Sequence, residues 1–236
     1  MVTSPAANSA PRRPRNDKRR ARNRAALVEA ALSLVNERGS SGLTAAAIAL
    51  RAGLHKQAFY AHFKHLDECL AALAKHLGRE FEDAVIAQQL IGIVSAPERD
   101  REAERRAMLA LIALATERRP VYALLLKERY GDGPLGQTMR KMIQRARRTC
   151  TQSLWVLAAR VGVHGSHLHD VEALAHMALE IGLDTYDRIL EDDSLDFEAE
   201  ADRALRYVEA IIYSEFRRMI ERSRELHGDG DGHAEQ

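Results

Sequence analysis

The stretch TAAAIALRAGLHKQAFYAHF, from Thr44 to Phe63, contains two short helical patterns separated by a bend. Thr44 is a residue type that caps helices through its hydroxyl, and Ile48 belongs to the inner face of the first pattern. Gly53 permits a sharp turn. Phe59 and Phe63 stand four residues apart on the second pattern, so we expect both to point into a core. Two helices joined by a glycine-containing turn are typical of a helix-turn-helix.

A longer amphipathic pattern precedes this stretch, and still longer helical patterns follow it. Over residues 18–38 the apolar residues Leu27, Ala31 and Leu34 recur at helical spacing and form one stripe. Both ends of the chain lack such periodicity. Four segments are therefore predicted, in chain order: a disordered basic arm at residues 1–17, a three-helix helix-turn-helix domain at 18–65, a larger helical domain at 66–225, and a disordered tail at 226–236.

The composition favours an all-α protein with a substantial core. Of the 236 residues 46% are hydrophobic, while only 5% are aromatic. Leucine and alanine are abundant, whereas strands prefer β-branched and aromatic residues. Cys69 and Cys150 are too few for a disulfide framework, and no run approaches the roughly 18 apolar residues of a membrane helix. We therefore expect no membrane contact and a location in the cytoplasm.

The net charge of +1 conceals an asymmetry along the chain. Up to Lys64 there are twelve basic and three acidic residues, a net charge of +9, so the remainder carries −8. This division indicates that the N-terminal part meets a polyanion such as nucleic acid, although a basic arm can also serve only for solubility. No glycine-rich phosphate loop, nucleophile elbow or paired cysteines are present, so an enzyme is not predicted.

The spacing of the residues around Gly53 resembles that of the TetR (tetracycline repressor) family of bacterial regulators. The resemblance covers about residues 18–72. The matching residues are Thr44, Ile48-Ala49, Ala52-Gly53-Leu54, Phe59-Tyr60 and His62-Phe63.

The resemblance implies a homodimer whose recognition helices enter successive major grooves of an operator, about 34–36 Å apart. It also implies that the larger domain binds a small effector and forms the dimer. Lys56 and Gln57 match base-reading positions, and Tyr60 and His62 match phosphate contacts, although these two could instead only pack the domain. The implied DNA-binding residues are Thr44, His55, Lys56, Gln57, Tyr60, His62 and Lys64.

The family often has Ser where this chain has His55, and Thr or Ser where it has Ala58. One helix-capping bond and one polar contact are therefore expected to be missing. The family's common Lys at the start of the fourth helix is replaced by Leu66, and Lys64 is expected to take over its phosphate.

The resemblance places the effector among the middle helices of the larger domain. Large apolar side chains with an occasional polar group suit such a pocket, and ordinary core packing is the alternative for each of them. The candidates are Met108, Leu111, Tyr122, Leu125, Met142 and Trp155. Few aromatic residues favour a hydrophobic, acyl-like effector. A phosphate group could be held by Arg140, Lys141, Arg145, Arg147 and Arg148, which could equally form a solvated face.

The last two helical patterns carry wide apolar arcs that suit a four-helix bundle between two subunits. The candidate interface residues are Leu174, Met177, Ala178, Ile181, Leu205, Val208, Ile212 and Met219. His176, Glu180 and Asp184 share one helical face, but arginine pairing is the more common fate of such carboxylates. We expect no metal and no cofactor.

The main hypothesis is thus a DNA-binding repressor that a small hydrophobic effector releases from a palindromic operator. One alternative is a constitutive DNA-bound interaction protein without an effector, and a more remote one is an all-helical enzyme. Loss of DNA affinity on adding a ligand would separate the first two.

Overall fold

The structure is a computed structural model. It describes residues 14–40, 42–87, 100–160, 163 and 168–228. Within this part of the chain every regular element is a helix and none is a strand, so the all-α prediction is confirmed. Two compact units divide the chain, Met1–Leu73 and Ala74–Gln236.

The first unit is built from short helices. Its elements are α1 (Pro14–Arg38), α2 (Ala45–Arg51), α3 (Lys56–Tyr60) and the beginning of α4 (Leu66–Ala87). Helix α1 packs against α2, and α2 packs against α3. Phe59 and Phe63 are fully buried with ring centroids 5.5 Å apart, as their spacing predicts.

Helix α1 begins at Pro14 rather than at Lys18. Residues 14–17, which the sequence assigned to the disordered arm, are therefore helical. Proline suits the start of a helix because its missing N–H would have no intrahelical partner there. Asp17 adds a negative charge to the first turn, where it interacts favourably with the helix dipole.

The bend between α2 and α3 has the geometry that its sequence predicts. The hydroxyl of Thr44 accepts a hydrogen bond from the Ala47 N–H at 3.1 Å and so caps α2. Gly53 has a φ of 68°, and the following amide of Leu54 donates to the Ala49 carbonyl at 2.8 Å. A left-handed residue is needed to close this turn, and glycine adopts that conformation without steric cost.

The second unit contains the longer helices. Its described elements after α4 are α5 (Arg101–Glu117), α6 (Arg119–Lys127), a 3-10 turn (Glu128–Tyr130), α7 (Pro134–Arg160), α8 (Leu168–Glu191), α9 (Phe197–Val208), a π-helical turn (Glu209–Tyr213) and α10 (Ser214–Gly228).

Two hydrophobic clusters lie among the described residues of this unit. The α7–α8–α10 cluster has as its buried members Leu154, Ala158, Val163, Val171, Leu174, Ala175, Phe216 and Met219. The α5–α8–α9 cluster has Ile112, Ile189 and Ala201. Helix α8 contributes to both clusters, so it joins the two halves of the unit.

The π-helical turn links α9 to α10 and reaches across to α5. The hydroxyl of Tyr213 donates to Oε1 of Glu104 at 2.9 Å. Because Glu104 is only 2% exposed, this bond supplies a partner to a buried carboxylate. Helix α10 then continues to Gly228, so residues 226–228 are helical rather than part of the predicted tail.

Candidate nucleic-acid interface and effector unit

The short helix α3 presents polar side chains to solvent. His55, Lys56 and Gln57 are exposed around its first turn, and Tyr60 is 52% exposed. Phe59 points the other way, and its ring meets the Tyr60 ring edge-on with centroids 5.5 Å apart. Lys56 and Gln57 are thus held side by side on an accessible turn, because the buried phenylalanine fixes the direction of the helix.

Thr44, His55 and Lys64 lie at the ends of the short helices. All three are exposed. His55 is the N-terminal cap residue of α3 but makes no side-chain capping bond, in agreement with the missing serine. The backbone N–H of Lys64 donates to Oε2 of Glu68 at 2.8 Å, which fixes the chain just before α4.

His62 is half-buried, and its Nδ1 has no hydrogen-bond partner among the described residues. Burial lowers the pKa of this imidazole, and the positive charges of Arg20 and Arg24 lower it further. A neutral His62 attracts a phosphate less than a charged one. The two arginines of α1 belong to the same positive surface, and their spacing of four residues is the sequence signal that could have identified them.

Arg51 has a different role from the other basic residues of the first unit. Its guanidinium donates to both carboxylate oxygens of Glu37, at 2.5 and 2.6 Å, and to the hydroxyl of Ser33 at 2.6 Å. These bonds join α2 to α1. The hydrogen bonds from Arg51 and Ser33 lower the pKa of Glu37 to about 2. Arg51 therefore stabilises the domain.

Residues 27–73 match the family model of the bacterial regulatory proteins, tetR family. The N-terminal unit is therefore similar to the TetR family over this segment. The match contains the whole stretch from Thr44 to Phe63 that the sequence singled out. No curated protein matches the chain significantly.

Solved structures of bacterial regulators share the fold over about four fifths of this chain. SmeT of Stenotrophomonas maltophilia in complex with triclosan is 23% identical, with a TM-score of 0.58 over 80% of this chain and 90% of that one. The fatty acid degradation regulator FadR from Bacillus halodurans is 16% identical, with a TM-score of 0.58 over 79% and 94%. A TetR-like regulator from Rhodococcus sp. RHA1 is 20% identical, with a TM-score of 0.53 over 77% and 91%.

The predicted effector residues do not all lie together. Leu111 and Leu125 are buried, whereas Met108 is half-buried and packs against the α5–α8–α9 cluster. Trp155 packs against the α7–α8–α10 cluster instead. Trp155 and Met108 thus pack against different clusters. Helical spacing alone could not predict this, because it does not say which neighbouring helix a face contacts.

Met142 packs closely against α4. Its side chain lies over Gly78, where an added Cβ would be 2.2 Å from the Met142 methyl carbon. The glycine therefore makes room for Met142, which explains why a small residue occurs on this face of α4.

Two tyrosines of the second unit have buried hydroxyl groups without partners among the described residues. They are Tyr122 on α6 and Tyr186 on α8. The Tyr186 ring contacts Phe81 of α4 edge-on, with centroids 5.8 Å apart. Tyr186 was not among the sequence candidates, because its spacing on α8 resembles that of any core residue.

The basic face of α7 is engaged within the unit. Arg140 donates to the carbonyl of Gly131 at 2.6 Å, Arg145 pairs with Glu82 at 3.4 Å, and Arg147 pairs with Glu180 at 2.5 Å. Lys141 and Arg148 are exposed. Three of the five predicted phosphate-holding residues are thus bonded to separate partners within the unit, and these three do not converge on one point.

An open groove of about 380 Å³ lies on the face of α8 and α9 that was predicted to form the dimer. Its apolar wall includes the exposed side chains of Met177, Tyr207 and Ile211 together with the half-buried Ile181. Its remaining lining residues are His176, Glu180 and Asp184.

Four of the predicted interface residues pack inside their own subunit. Leu174 and Met219 are buried in the α7–α8–α10 cluster, and Ala178 and Val208 pack against it. Leu205 is half-buried, and the side chain of Ile212 lies outside the described residues. The apolar face of α8 is wide enough to contribute residues to a core and to an exposed surface. Periodicity alone therefore assigned to the surface some residues that are buried.

The carboxylates beside His176 are paired with arginines. Glu180 pairs with Arg147, and Asp184 pairs with Arg203 at 3.4 Å. Among the described residues no group of three or more histidine, cysteine or acidic side chains has the arrangement of a metal site. No described helix is long and apolar enough to cross a membrane.

Proposed function

We propose that this chain is a transcriptional repressor that binds a palindromic operator as a homodimer and is released by a small, mainly hydrophobic effector. The observation that carries the proposal is the exposed turn of α3 with Lys56 and Gln57, inside the segment that matches the TetR family. Lysine can donate to guanine and glutamine can bond the edge of adenine in the major groove. Such a role belongs in the cytoplasm.

The fold neighbours support the effector part of the proposal. SmeT is a repressor of a multidrug efflux pump and has been solved with triclosan bound. The second unit of this chain has the same fold, a mainly apolar interior and polar groups within it. The groove on α8 and α9 supports the homodimer, since exposed apolar surfaces of this kind occur where proteins associate.

The proposal is tested by titrating the purified protein against DNA from its own upstream region and against scrambled DNA of equal length. Fluorescence anisotropy at two salt concentrations separates specific binding from phosphate contacts. We expect a preference of about 10³ or more that persists at the higher salt.

Variants assign this preference to α3. Lys56→Ala and Gln57→Ala are each expected to weaken operator binding by about tenfold to a hundredfold, with little change on scrambled DNA. Lys75→Ala removes the same charge from an exposed position of α4 and should leave the preference intact. Equal binding to both DNAs would contradict an operator in that region, and specific binding that no ligand reverses would favour a constitutive DNA-bound protein.

A further inference from the structure

The hydroxyl groups of Tyr122 and Tyr186 are buried polar groups of the second unit. Each hydroxyl oxygen is buried and lacks a hydrogen-bond partner among the described residues. Burying a polar group without a hydrogen-bond partner is costly, so such groups are rare. Two of them on neighbouring helices, α6 and α8, indicate a position where a further polar atom is bound.

The surroundings of the two hydroxyls define what that atom can be. Burial raises the pKa of Tyr122 to about 12, and burial together with the proximity of Tyr122 raises the pKa of Tyr186. Both groups therefore keep their protons near neutral pH. Each can donate one hydrogen bond, so the pair suits an oxygen that accepts from both.

The positive charge that acts on Tyr122 is already paired. Arg118, whose charge acts on Tyr122, donates to Oε2 of Glu80 at 2.5 Å. Burying a carboxylate without a free cation is costly, whereas a carbonyl or hydroxyl oxygen needs only the hydrogen bonds. The electrostatics therefore favour an uncharged ligand over a fatty acid anion.

Apolar side chains lie beside Tyr186. Phe81 lies edge-on to Tyr186, and Tyr186 and Met108 both pack against the α5–α8–α9 cluster. Methionine has three rotatable bonds and adapts its shape, so Met108 can yield space to a ligand beside Tyr186. A ligand here would have an apolar body and a single polar atom.

We propose that the hydroxyls of Tyr122 and Tyr186 together bind the one polar oxygen of an uncharged, mainly apolar effector such as a medium-chain ketone. This inference rests on the proposed function and specifies the chemistry of its effector. It replaces the phosphate group of an acyl-like effector, held by α7, with a neutral polar oxygen held by α6 and α8.

The test compares three probes of equal chain length, 2-decanone, decanoate and decane, by calorimetric titration into the full-length protein. We expect 2-decanone to bind at least tenfold more tightly than either of the others. Tyr122→Phe and Tyr186→Phe should each reduce the affinity for the ketone about tenfold and leave the affinity for decane unchanged, because only the hydroxyl is removed. Tyr130→Phe, at an exposed ring, is the matched control.

Thermal unfolding without a probe gives an independent readout. Because neither hydroxyl has a hydrogen-bond partner in the part of the chain that the structure describes, both phenylalanine variants should unfold at the same temperature as the wild-type protein or higher. Preferential binding of decanoate, no binding of the ketone, or variants that bind the ketone like the wild-type protein would each overturn the proposal. A lower unfolding temperature with unchanged ketone affinity would mean that the hydroxyls hold only water.

The anisotropy assay separates this outcome from failure of the proposed function. In one outcome, specific operator binding is released as well by decanoate as by 2-decanone; in another, 2-decanone releases it as well in the phenylalanine variants as in the wild-type protein. Either result would support the proposed regulator function and contradict binding of the effector by Tyr122 and Tyr186. If no operator preference exists, the proposed function itself fails, while ketone binding still reports on the tyrosine pair.

Discussion

At the scale of single residues, the ion pair between Glu37 and Arg51 makes the stability of the first unit depend on pH. The pKa of Glu37 is lowered to about 2 in the folded protein from an ordinary value of 4.5. A lowered carboxyl pKa stabilises the fold above the unfolded value, and this contribution disappears as the pH falls from about 4.5 to about 2. In the Glu37→Gln variant, the unfolding free energy should therefore decrease less than in the wild-type protein as the pH falls through this range.

Urea unfolding between pH 5 and pH 2 measures this effect. Glu29→Gln changes an exposed glutamate of the same helix and should leave the fall as steep as in the wild-type protein. The ion pair would have no such role if Glu37→Gln and wild-type proteins lost stability in parallel.

Gly53 is the residue on which the bend depends. Its φ of 68° is unfavourable for other residues, while no atom lies within 4 Å of an added Cβ. Gly53→Ala should therefore lower the unfolding free energy by about 1–2 kcal/mol through backbone conformation alone. Asparagine tolerates this conformation better, so Gly53→Asn should lose less in the same thermal unfolding experiment. Equal losses would point to a cause other than φ.

At the scale of elements, the first unit could be predicted because its signals are local. The cap at Thr44, the turn at Gly53 and the four-residue spacing of Phe59 and Phe63 each act within a few residues. The ends of α1 and α10 were less predictable, since residues such as Pro14 suit either a helix start or an irregular segment.

The second unit was predicted less completely because its arrangement depends on contacts between distant residues. Tyr122 and Tyr186 are far apart in sequence, and no local pattern relates them. Leu174 and Met177 stand on one helix, yet the first is buried and the second is 38% exposed. Which of two apolar residues faces a neighbouring helix is decided by packing, which a single sequence does not record.

Helix α9 depends on its cap. Oδ1 of Asp196 accepts hydrogen bonds from the Glu198 and Ala199 amides, at 2.9 and 3.4 Å. Asp196→Ala should lower the unfolding free energy by about 1 kcal/mol, whereas Asp196→Asn retains an acceptor and should lose less. Chemical unfolding of the three proteins side by side tests this, and equal stability of the alanine variant would show that water replaces the cap.

At the scale of the whole molecule, the proposed operator binding requires two copies of the chain. We predict that wild-type protein sediments as a dimer at micromolar concentration. Met177→Arg combined with Ile211→Arg places charge in the groove of α8 and α9 and should produce monomers. Leu50→Arg, at a position that is 80% exposed in the first unit, is the control and should remain dimeric.

The same double variant should bind an operator far more weakly than the wild-type protein. A single subunit reaches only one of two half-sites about 34–36 Å apart, so it loses the second set of contacts. Monomers of the wild-type protein at micromolar concentration, or operator affinity that survives dissociation, would contradict the dimer.

The π-helical turn at residues 209–213 affects the direction in which the side chains of α10 point. A π turn contains one residue more than a regular helix needs for the same rise, and one residue of an α-helix corresponds to a rotation of about 100°. Phe216 and Met219, which follow the turn, are buried in the α7–α8–α10 cluster. Deleting one residue of the turn would therefore act on side-chain direction as a frameshift acts on a reading frame. Every amino acid of α10 would remain, yet its apolar residues would point away from the core.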